Sequence, residues 1–142
     1  MKRFTAFVMA GLLLATASLA GDGKGSLTVV MTGFRNGAGT ARASVFGGPE
    51  GFPYETAKAV AKASVAIKDG QAVAVFEGLQ YGTYAVAVYH DEDSSGKLER
   101  NLLGIPRKGY GLSNSPPGLP SFAKSGFKLD SPDQTVRIPL SY

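Results

Sequence analysis

The residues whose types and spacing suggest chemistry lie in an acidic loop that follows the best strand of the chain. Asp91, Asp93 and Ser95 stand at alternate positions, Gly96 comes next, and Glu99 lies three residues further on. A Ca²⁺ loop needs several oxygen ligands on one wrap of chain and a glycine at its sharpest point. The predicted metal ligands are therefore Asp91, Asp93, Ser95, the Lys97 carbonyl and Glu99.

This loop matches only part of the EF-hand pattern. Asp-x-Asp-x-Ser-Gly fits the first six positions, with Ser95 as the weaker ligand. Leu102 stands where a bidentate Glu belongs, and no flanking helix pair is predicted. Asp, Ser and Gly are also residues that turns favour. Two interpretations stay open: a Ca²⁺ loop of modest affinity that makes the domain more rigid, and a solvated polar turn.

A long segment rich in glycine and proline is the second candidate surface. Loops of such length without secondary structure are uncommon and are often functional. The predicted ligand-binding residues are Arg107, Lys108, Tyr110 and Asn114, which offer cations, an aromatic face and an amide to an anion or a sugar. The alternative is that this loop folds over the sheet and plugs its end with apolar side chains.

His90 is the only histidine, and a hydrolase would have to be built on it. Catalysis would need a nucleophile and an orienting group within hydrogen-bonding reach. Asp91 is its neighbour, but successive residues of a strand point to opposite faces. The chain has no nucleophile-elbow or phosphate-loop motif. We therefore predict that the protein is not an enzyme and that His90 is structural; a hydrolase using His90 is the weaker alternative.

Alternating apolar and polar residues predict the strands that must position these groups. The predicted strands span residues 27–32, 40–45, 61–68, 72–76, 83–90, 126–129 and 134–140. The first two are expected to pair as a hairpin, and Asp69-Gly70 is expected to be a two-residue hairpin turn. Pro139 lacks a backbone donor, so the last strand should lie at an edge. The pattern indicates an all-β fold, an antiparallel Ig-like β-sandwich of about seven strands.

The amino terminus has the features of a secretory signal peptide over residues 1–20. A charged start precedes an apolar run, and small residues stand at Ser18 and Ala20. The run is shorter than the roughly 20 residues that a membrane span needs. We expect a flexible lead at residues 21–26 and one β-sandwich domain at residues 27–142. The processed protein should be periplasmic or secreted and should not span a membrane.

Composition narrows the function classes. Without the leader, 13 basic residues stand against 11 acidic ones, a balance too even for a nucleic-acid-binding face. The absence of cysteine excludes disulfides, thiolate chemistry and a Cys-based zinc site. A small binding or accessory module is the predicted function, with an unidentified small molecule or protein as its partner in the periplasm. The alternative is a structural domain that Ca²⁺ makes rigid.

Two resemblances extend this interpretation. Gly-Leu-Gln-Tyr-Gly-Thr-Tyr-Ala-Val, at residues 78–86, resembles a segment of transthyretin-like and carboxypeptidase-regulatory-like sandwiches. Nearly the whole chain after the leader resembles a family of secreted bacterial proteins of unknown function. Its marks are Gly-Phe-Pro, Gly-x-Tyr-Ala-Val, His-Asp before an acidic glycine loop, Gly-Tyr-Gly-x-Ser-Asn and Pro-Ser-Phe (residues 51–53, 82–86, 90–98, 109–114 and 120–122).

The second resemblance implies a transthyretin-like sandwich and export, and it implies no activity. The chain departs from the family pattern at two places. Ser94-Ser95 stands where an Asn-rich pair is usual, which weakens a cation site. Lys108 stands where an acidic residue is common, which makes the neighbouring loop more basic.

Overall fold

A computed structural model of the protein describes residues 23–97 and 108–142. Within these ranges the chain forms eight strands, one short helix and a 3-10 turn at Thr56–Lys58. The elements are β1 (Lys24–Thr32), β2 (Thr40–Phe46), β3 (Ala61–Val65), β4 (Gln71–Gln80), β5 (Gly82–Asp91), β6 (Tyr110–Leu112), α1 (Phe122–Ser125), β7 (Phe127–Leu129) and β8 (Asp133–Pro139). The predicted all-β class is confirmed.

The strands form two sheets that pack face to face. The first has the order β4-β1-β8 and the second has the order β3-β2-β5-β6, with β7 paired to the start of β5. Most neighbours are antiparallel, but β8 runs parallel to β1. The sandwich is therefore mixed rather than wholly antiparallel. Parallel neighbours need a long crossover, and here everything between β1 and β8, including the second sheet, supplies it.

The pairing of the early strands differs from the prediction. β1 pairs with β4 and β8, and β2 pairs with β3 and β5, so the expected hairpin between the first two strands is wrong. Asp69 and Gly70 do form the predicted tight turn, with φ of 54° and 77° and with Lys68 and Gln71 exchanging backbone hydrogen bonds. The strands on either side of this turn nevertheless enter different sheets. Alternation identifies a strand but not its partner.

The first strand begins three residues earlier than the predicted start at residue 27, within the segment expected to be a flexible lead. Lys24 pairs with Gln80 on β4, and Ser26 pairs with Asp133 on β8. Residues 24–26 are thus the first part of β1, because β4 and β8 both extend far enough to offer them backbone partners. Residues 1–22, which include the predicted signal peptide, lie outside the described residues.

The core lies between the sheets and uses the inward faces that the alternation predicts. Burying each aliphatic side chain contributes about 1.5–3 kcal/mol. The buried apolar residues of β1, β2, β5 and β8 include Leu27, Val29, Met31, Ala41, Ala43, Val45, Val86, Val88 and Ile138. As Pro139 requires, β8 is an edge strand of its sheet.

A second apolar cluster lies on the outer face of the β3-β2-β5-β6 sheet. The rings of Phe46, Phe52 and Phe122 meet edge to face, with centroids 5.3 and 6.1 Å apart. The segment 47–58 and α1 supply the latter two rings and so cover this part of the sheet. Other residues of this sheet line two surface cavities. No helix among the described residues has the length and apolar character that a membrane crossing requires.

Candidate functional site

The acidic loop gathers its oxygens around the side chain of Lys108. The Lys108 Nζ atom lies 2.8 Å from Asp91 Oδ1, 2.9 Å from Asp93 Oδ1 and 2.9 Å from Ser95 Oγ. The Lys97 carbonyl oxygen is closer still, at 2.6 Å. Four of the five predicted metal ligands therefore converge on one point, and a lysine ammonium occupies it. Glu99, the fifth, lies outside the described residues.

Asp91 is the centre of this arrangement. It ends β5 and is fully buried. Its second oxygen, Oδ2, accepts hydrogen bonds from Arg42 Nε at 2.7 Å and from the Gly96 backbone N–H at 2.8 Å. Gly96 has a φ of 78°, a conformation that glycine adopts without steric cost. The loop thus folds back so that its own backbone contacts the carboxylate from which it starts.

The electrostatics of the cluster keep its members charged. Burial would raise the pKa of the Asp91 carboxyl, but hydrogen bonds from Lys108, Arg42 and Gly96 outweigh burial and hold that pKa well below its usual range. Hydrogen bonds from Lys108 and Ser95 lower the pKa of Asp93. Burial lowers the pKa of Lys108, but the two aspartates raise it by more. The Lys108 side chain is only 8 % exposed, and its ammonium forms ion pairs with both aspartates.

The two sites predicted from the sequence share a residue. Lys108, predicted to bind a ligand, lies inside the predicted metal loop. Asn114 Nδ2 donates to the carbonyls of Lys124 and Gly126 at 3.2 and 3.0 Å and so fastens α1. Tyr110 is half-buried on β6, and Arg107 lies outside the described residues. Ligand binding by these residues stays a prediction, while the structure gives Lys108 and Asn114 partners within the fold.

Two carboxylates of the described residues, those of Asp91 and Asp93, face the point where the loop oxygens meet. Within residues 23–97 and 108–142, no group of three or more His, Asp or Glu side chains is placed to hold a metal ion. Ca²⁺ binding by the native loop stays a prediction.

His90 faces the core side of β5 and has a partner for each ring nitrogen. Nε2 lies 2.7 Å from the Ala38 carbonyl, which can only accept, so this nitrogen carries the proton. Nδ1 lies within hydrogen-bonding distance of the Tyr142 hydroxyl, at 2.7 Å. The same hydroxyl accepts from the Arg35 backbone N–H at 3.1 Å. This chain of hydrogen bonds satisfies the fully buried imidazole and fits the predicted structural role.

An ion pair between Arg35 and Glu92 lies next to the His90–Tyr142 hydrogen bond. The Arg35 guanidinium lies 4.7 Å from the centroid of the Tyr142 ring and forms two hydrogen bonds, of 3.1 and 2.7 Å, with the carboxylate of Glu92. Hydrogen bonds from Arg35 and Asn36 lower the pKa of Glu92 to about 2. Tyr142 is thereby held between His90 and Arg35.

Two adjoining cavities of about 320 and 280 Å³ lie over the outer face of β2 and β5. They share four lining residues, Ser44, Thr56, Tyr89 and Gly96, and together we call them the outer groove. The outer groove is also lined by charged and aromatic side chains, those of Arg42, Tyr54, Lys62, Lys97 and Tyr110. Among the described residues that line the outer groove, none is acidic.

Only one end of this groove consists of residues from the loops predicted to bind a ligand or a metal. Gly96, Lys97 and Tyr110 belong to the two predicted loops, but Ser44 and Tyr89 are strand residues and Thr56 comes from the segment that covers the sheet. Outward polar or aromatic side chains on strands β2 and β5 do not by themselves predict a groove, because such residues face solvent in many sandwiches. Their meeting depends on which strands pair.

Fold and site together define a small mixed β-sandwich with an ion-paired acidic loop at the end of a central strand. Residues 29–137 match the model of a family described as an uncharacterized protein conserved in bacteria, DUF2141. The match spans most of the chain, so the protein belongs to this family. The curated proteins compared with the chain gave no match, and neither did the solved structures.

This finding confirms the predicted membership of a bacterial family of unknown function. The transthyretin-like part of the resemblance stays a prediction.

Proposed function

We propose that the protein is an exported, non-enzymatic binding module whose outer groove holds a small anionic ring compound, such as an acidic sugar. The observation that carries this proposal is the chemistry of the groove, which combines tyrosine rings, hydroxyl groups and basic side chains. Its two cavities are close to the lower end of the 300–1,000 Å³ range of small-molecule sites.

The charges around the groove favour an anion. Lys62 and Lys97 are exposed at its rim, and Arg42 lines the cavity beside Lys62. Arg42 is paired with Asp91, so among the described lining residues the two lysines are the cations that a ligand carboxylate would meet. Because none of the described lining residues carries a carboxylate, the electrostatic potential in the groove favours a negatively charged ligand.

The uncharged side chains favour a ring that carries hydroxyl groups. Tyr54, Tyr89 and Tyr110 bring aromatic rings to the cavity, and such rings can stack on the apolar face of a sugar. Ser44 and Thr56 add hydroxyls, each able to donate and accept a hydrogen bond. Few polar groups converging on a largely preformed cavity are typical of ligand sites.

This proposal moves the recognition surface away from the tips of the loops. The loops at the end of the sandwich still contribute Gly96, Lys97 and Tyr110, but the floor of the groove is formed by the sheet. A floor of paired strands is more rigid than a loop and loses less conformational entropy when a ligand binds.

Binding is favoured over hydrolysis because of where His90 lies. Its ring is fully buried on the core side of β5, both nitrogens have partners, and the outer groove is on the other side of the sheet. A general base must reach the proton that it removes. His90 has no such access in this fold, so a hydrolase based on it is disfavoured.

Export is part of the proposal and is supported by the amino-terminal sequence. Fractionation of cells that express the full chain should recover the protein outside the cytoplasm. Its amino terminus should begin at Gly21. Recovery in the cytoplasm with Met1 retained would contradict export.

Ligand binding can be tested with two matched pairs of sugars. D-glucuronate is compared with D-glucose, and D-galacturonate with D-galactose, by saturation-transfer NMR and by calorimetry. We expect the uronates to bind at least about tenfold more tightly than the neutral sugars, because one charge-assisted contact supplies about 1.4 kcal/mol or more. Added NaCl should weaken uronate binding, because the lysines are exposed.

Two substitutions at the rim locate the site. Lys62→Gln and Lys97→Gln should each weaken uronate binding several-fold while leaving the fold intact, because the Lys97 contact to Lys108 uses only the backbone carbonyl. Lys128→Gln, at an exposed position on β7, is the control and should bind like the native chain. Equal affinity for neutral and acidic sugars, or no binding of either, would show that the ligand class is wrong.

A further inference from the structure

The acidic loop presents its oxygens in the order that a calcium loop uses. If Asp91 is position one, the oxygens that reach Lys108 Nζ come from positions one, three, five and seven, and the last is a backbone carbonyl. An EF-hand loop takes ligands from these same positions and has its glycine at position six, where Gly96 lies here. We call these four oxygens the oxygen shell; their order along the chain is that of a calcium loop.

The cation that lies among these oxygens is a lysine ammonium, which cannot donate a hydrogen bond to each of them. A lysine ammonium has three N–H donors, but four oxygens lie within 2.9 Å of its nitrogen. The loop thus offers more oxygens than the ammonium has protons. Ca²⁺ accepts six to eight oxygens, including water, and tolerates irregular geometry.

Lys108 reaches this position from a separate part of the chain. It lies 17 residues beyond Asp91 in sequence and just before β6. Its side chain is buried, whereas Asp93 on the opposite side of the shell is 59 % exposed. Within the oxygen shell, the ammonium thus belongs to a buried side chain and Asp93 to an exposed one.

We propose that Lys108 is the built-in cation of this loop and that it occupies a latent divalent-cation site. The native loop then needs no Ca²⁺, since Lys108 and Arg42 balance the charges of the two carboxylates. Removal of the lysine side chain leaves the two carboxylates, the Ser95 hydroxyl and the Lys97 carbonyl around an open space, which Ca²⁺ and water can fill. This inference is independent of the proposed ligand groove.

The test compares thermal unfolding of three proteins in CaCl₂ and in EDTA. The native protein should show the same Tm in both within about 1 °C. Lys108→Ala should melt below the native protein in EDTA and should gain at least about 5 °C with millimolar CaCl₂. Lys108→Ala/Asp93→Ala, which lacks one ligand, should gain almost nothing. A clear gain by the native protein, or none by Lys108→Ala, would overturn the proposal.

The outcome stays decisive if Lys108→Ala does not fold without metal. Recovery of the native circular dichroism on addition of CaCl₂ then supports the latent site. Continued unfolding in CaCl₂ overturns it.

Terbium luminescence gives a readout of position. The Tyr89 ring centroid lies 5.9 Å from Lys108 Nζ, so a Tb³⁺ ion at the same point would be close enough for the tyrosine to sensitise its emission. Lys108→Ala should give sensitised emission that excess CaCl₂ abolishes, and the native protein should give none. Lys108→Ala/Tyr89→Phe should lose most of the emission and still gain Tm with CaCl₂. Emission from the native protein as strong as from Lys108→Ala would contradict occupancy by the lysine.

Discussion

Two neighbouring residues at the end of β5 illustrate how one step of strand alternation separates different roles. His90 points to the core side and is held by Ala38 and Tyr142, whereas Asp91 points to the outer side and is held by Arg42 and Lys108. The sequence was enough to predict that these two side chains do not act together. The partners could not be predicted, because each is brought in by a segment distant in sequence.

Glu92 offers a pH test at the level of one ion pair. Its folded pKa of about 2 lies below the ordinary value of 4.5 because Arg35 and Asn36 bind the carboxylate. A lowered folded pKa stabilises the native state above the unfolded pKa, and this contribution is lost as the pH falls from about 4.5 towards 2. Glu92→Gln should therefore lower Tm by about 3 °C at pH 7, and the difference from the native protein should shrink below pH 4.

The expected difference is modest because the Arg35 side chain is 56 % exposed and water and salt screen the pair. Glu50→Gln is the control, since it removes an ion pair with Lys58 in which the carboxylate is far more exposed. It should change Tm by less than about 1 °C. A difference between Glu92→Gln and the native protein that grows in acid would show that the lowered pKa is wrong.

At the level of elements, local signals predicted the positions of strands and the geometry of turns. The Asp69-Gly70 turn is the clearest case, because two left-handed residues in succession suit a tight two-residue turn. Local signals did not predict which strands pair, because the pairing joins segments that are distant in sequence. β3 and β4, which flank this turn, belong to different sheets. β6 was not predicted, because it has only three residues in a glycine-rich segment, too few to show an alternating pattern.

Gly70→Ala tests whether this turn contributes to stability. Gly70 has a φ of 77°, and a side chain in the left-handed region costs about 1 kcal/mol. Gly37→Ala is the matched control, because no atom lies within 4 Å of the position that its methyl group would take and its φ is not positive. Urea unfolding should show a loss of about 1 kcal/mol for Gly70→Ala and a smaller change for Gly37→Ala. Equal stability of the two variants would contradict the role of the turn.

For the whole molecule, the core and the outer groove are built on the same two strands, β2 and β5. These strands carry core residues such as Val45 and Val86 on one face and groove residues such as Ser44 and Tyr89 on the other. The sequence predicted the two layers, because alternation identifies the inward face. It could not predict the outer groove, because the segment that walls it is irregular. The outer groove and the core should therefore unfold as one unit.

Ile138→Ala, in the sheet that does not form the groove, tests whether the groove and the core unfold together. Ile138 is fully buried on β8, beside Met31 in the parallel pair, and its truncation should cost about 2–4 kcal/mol through lost burial and a cavity. Val73→Ala on the same sheet is the control, because Val73 is 50 % exposed and should change stability by less than about 0.5 kcal/mol. In urea, far-UV circular dichroism and tyrosine fluorescence should shift together in Ile138→Ala, because a two-state domain gives coincident transitions. A fluorescence transition that precedes the circular dichroism transition would mean that the tyrosine-lined outer face unfolds separately from the core.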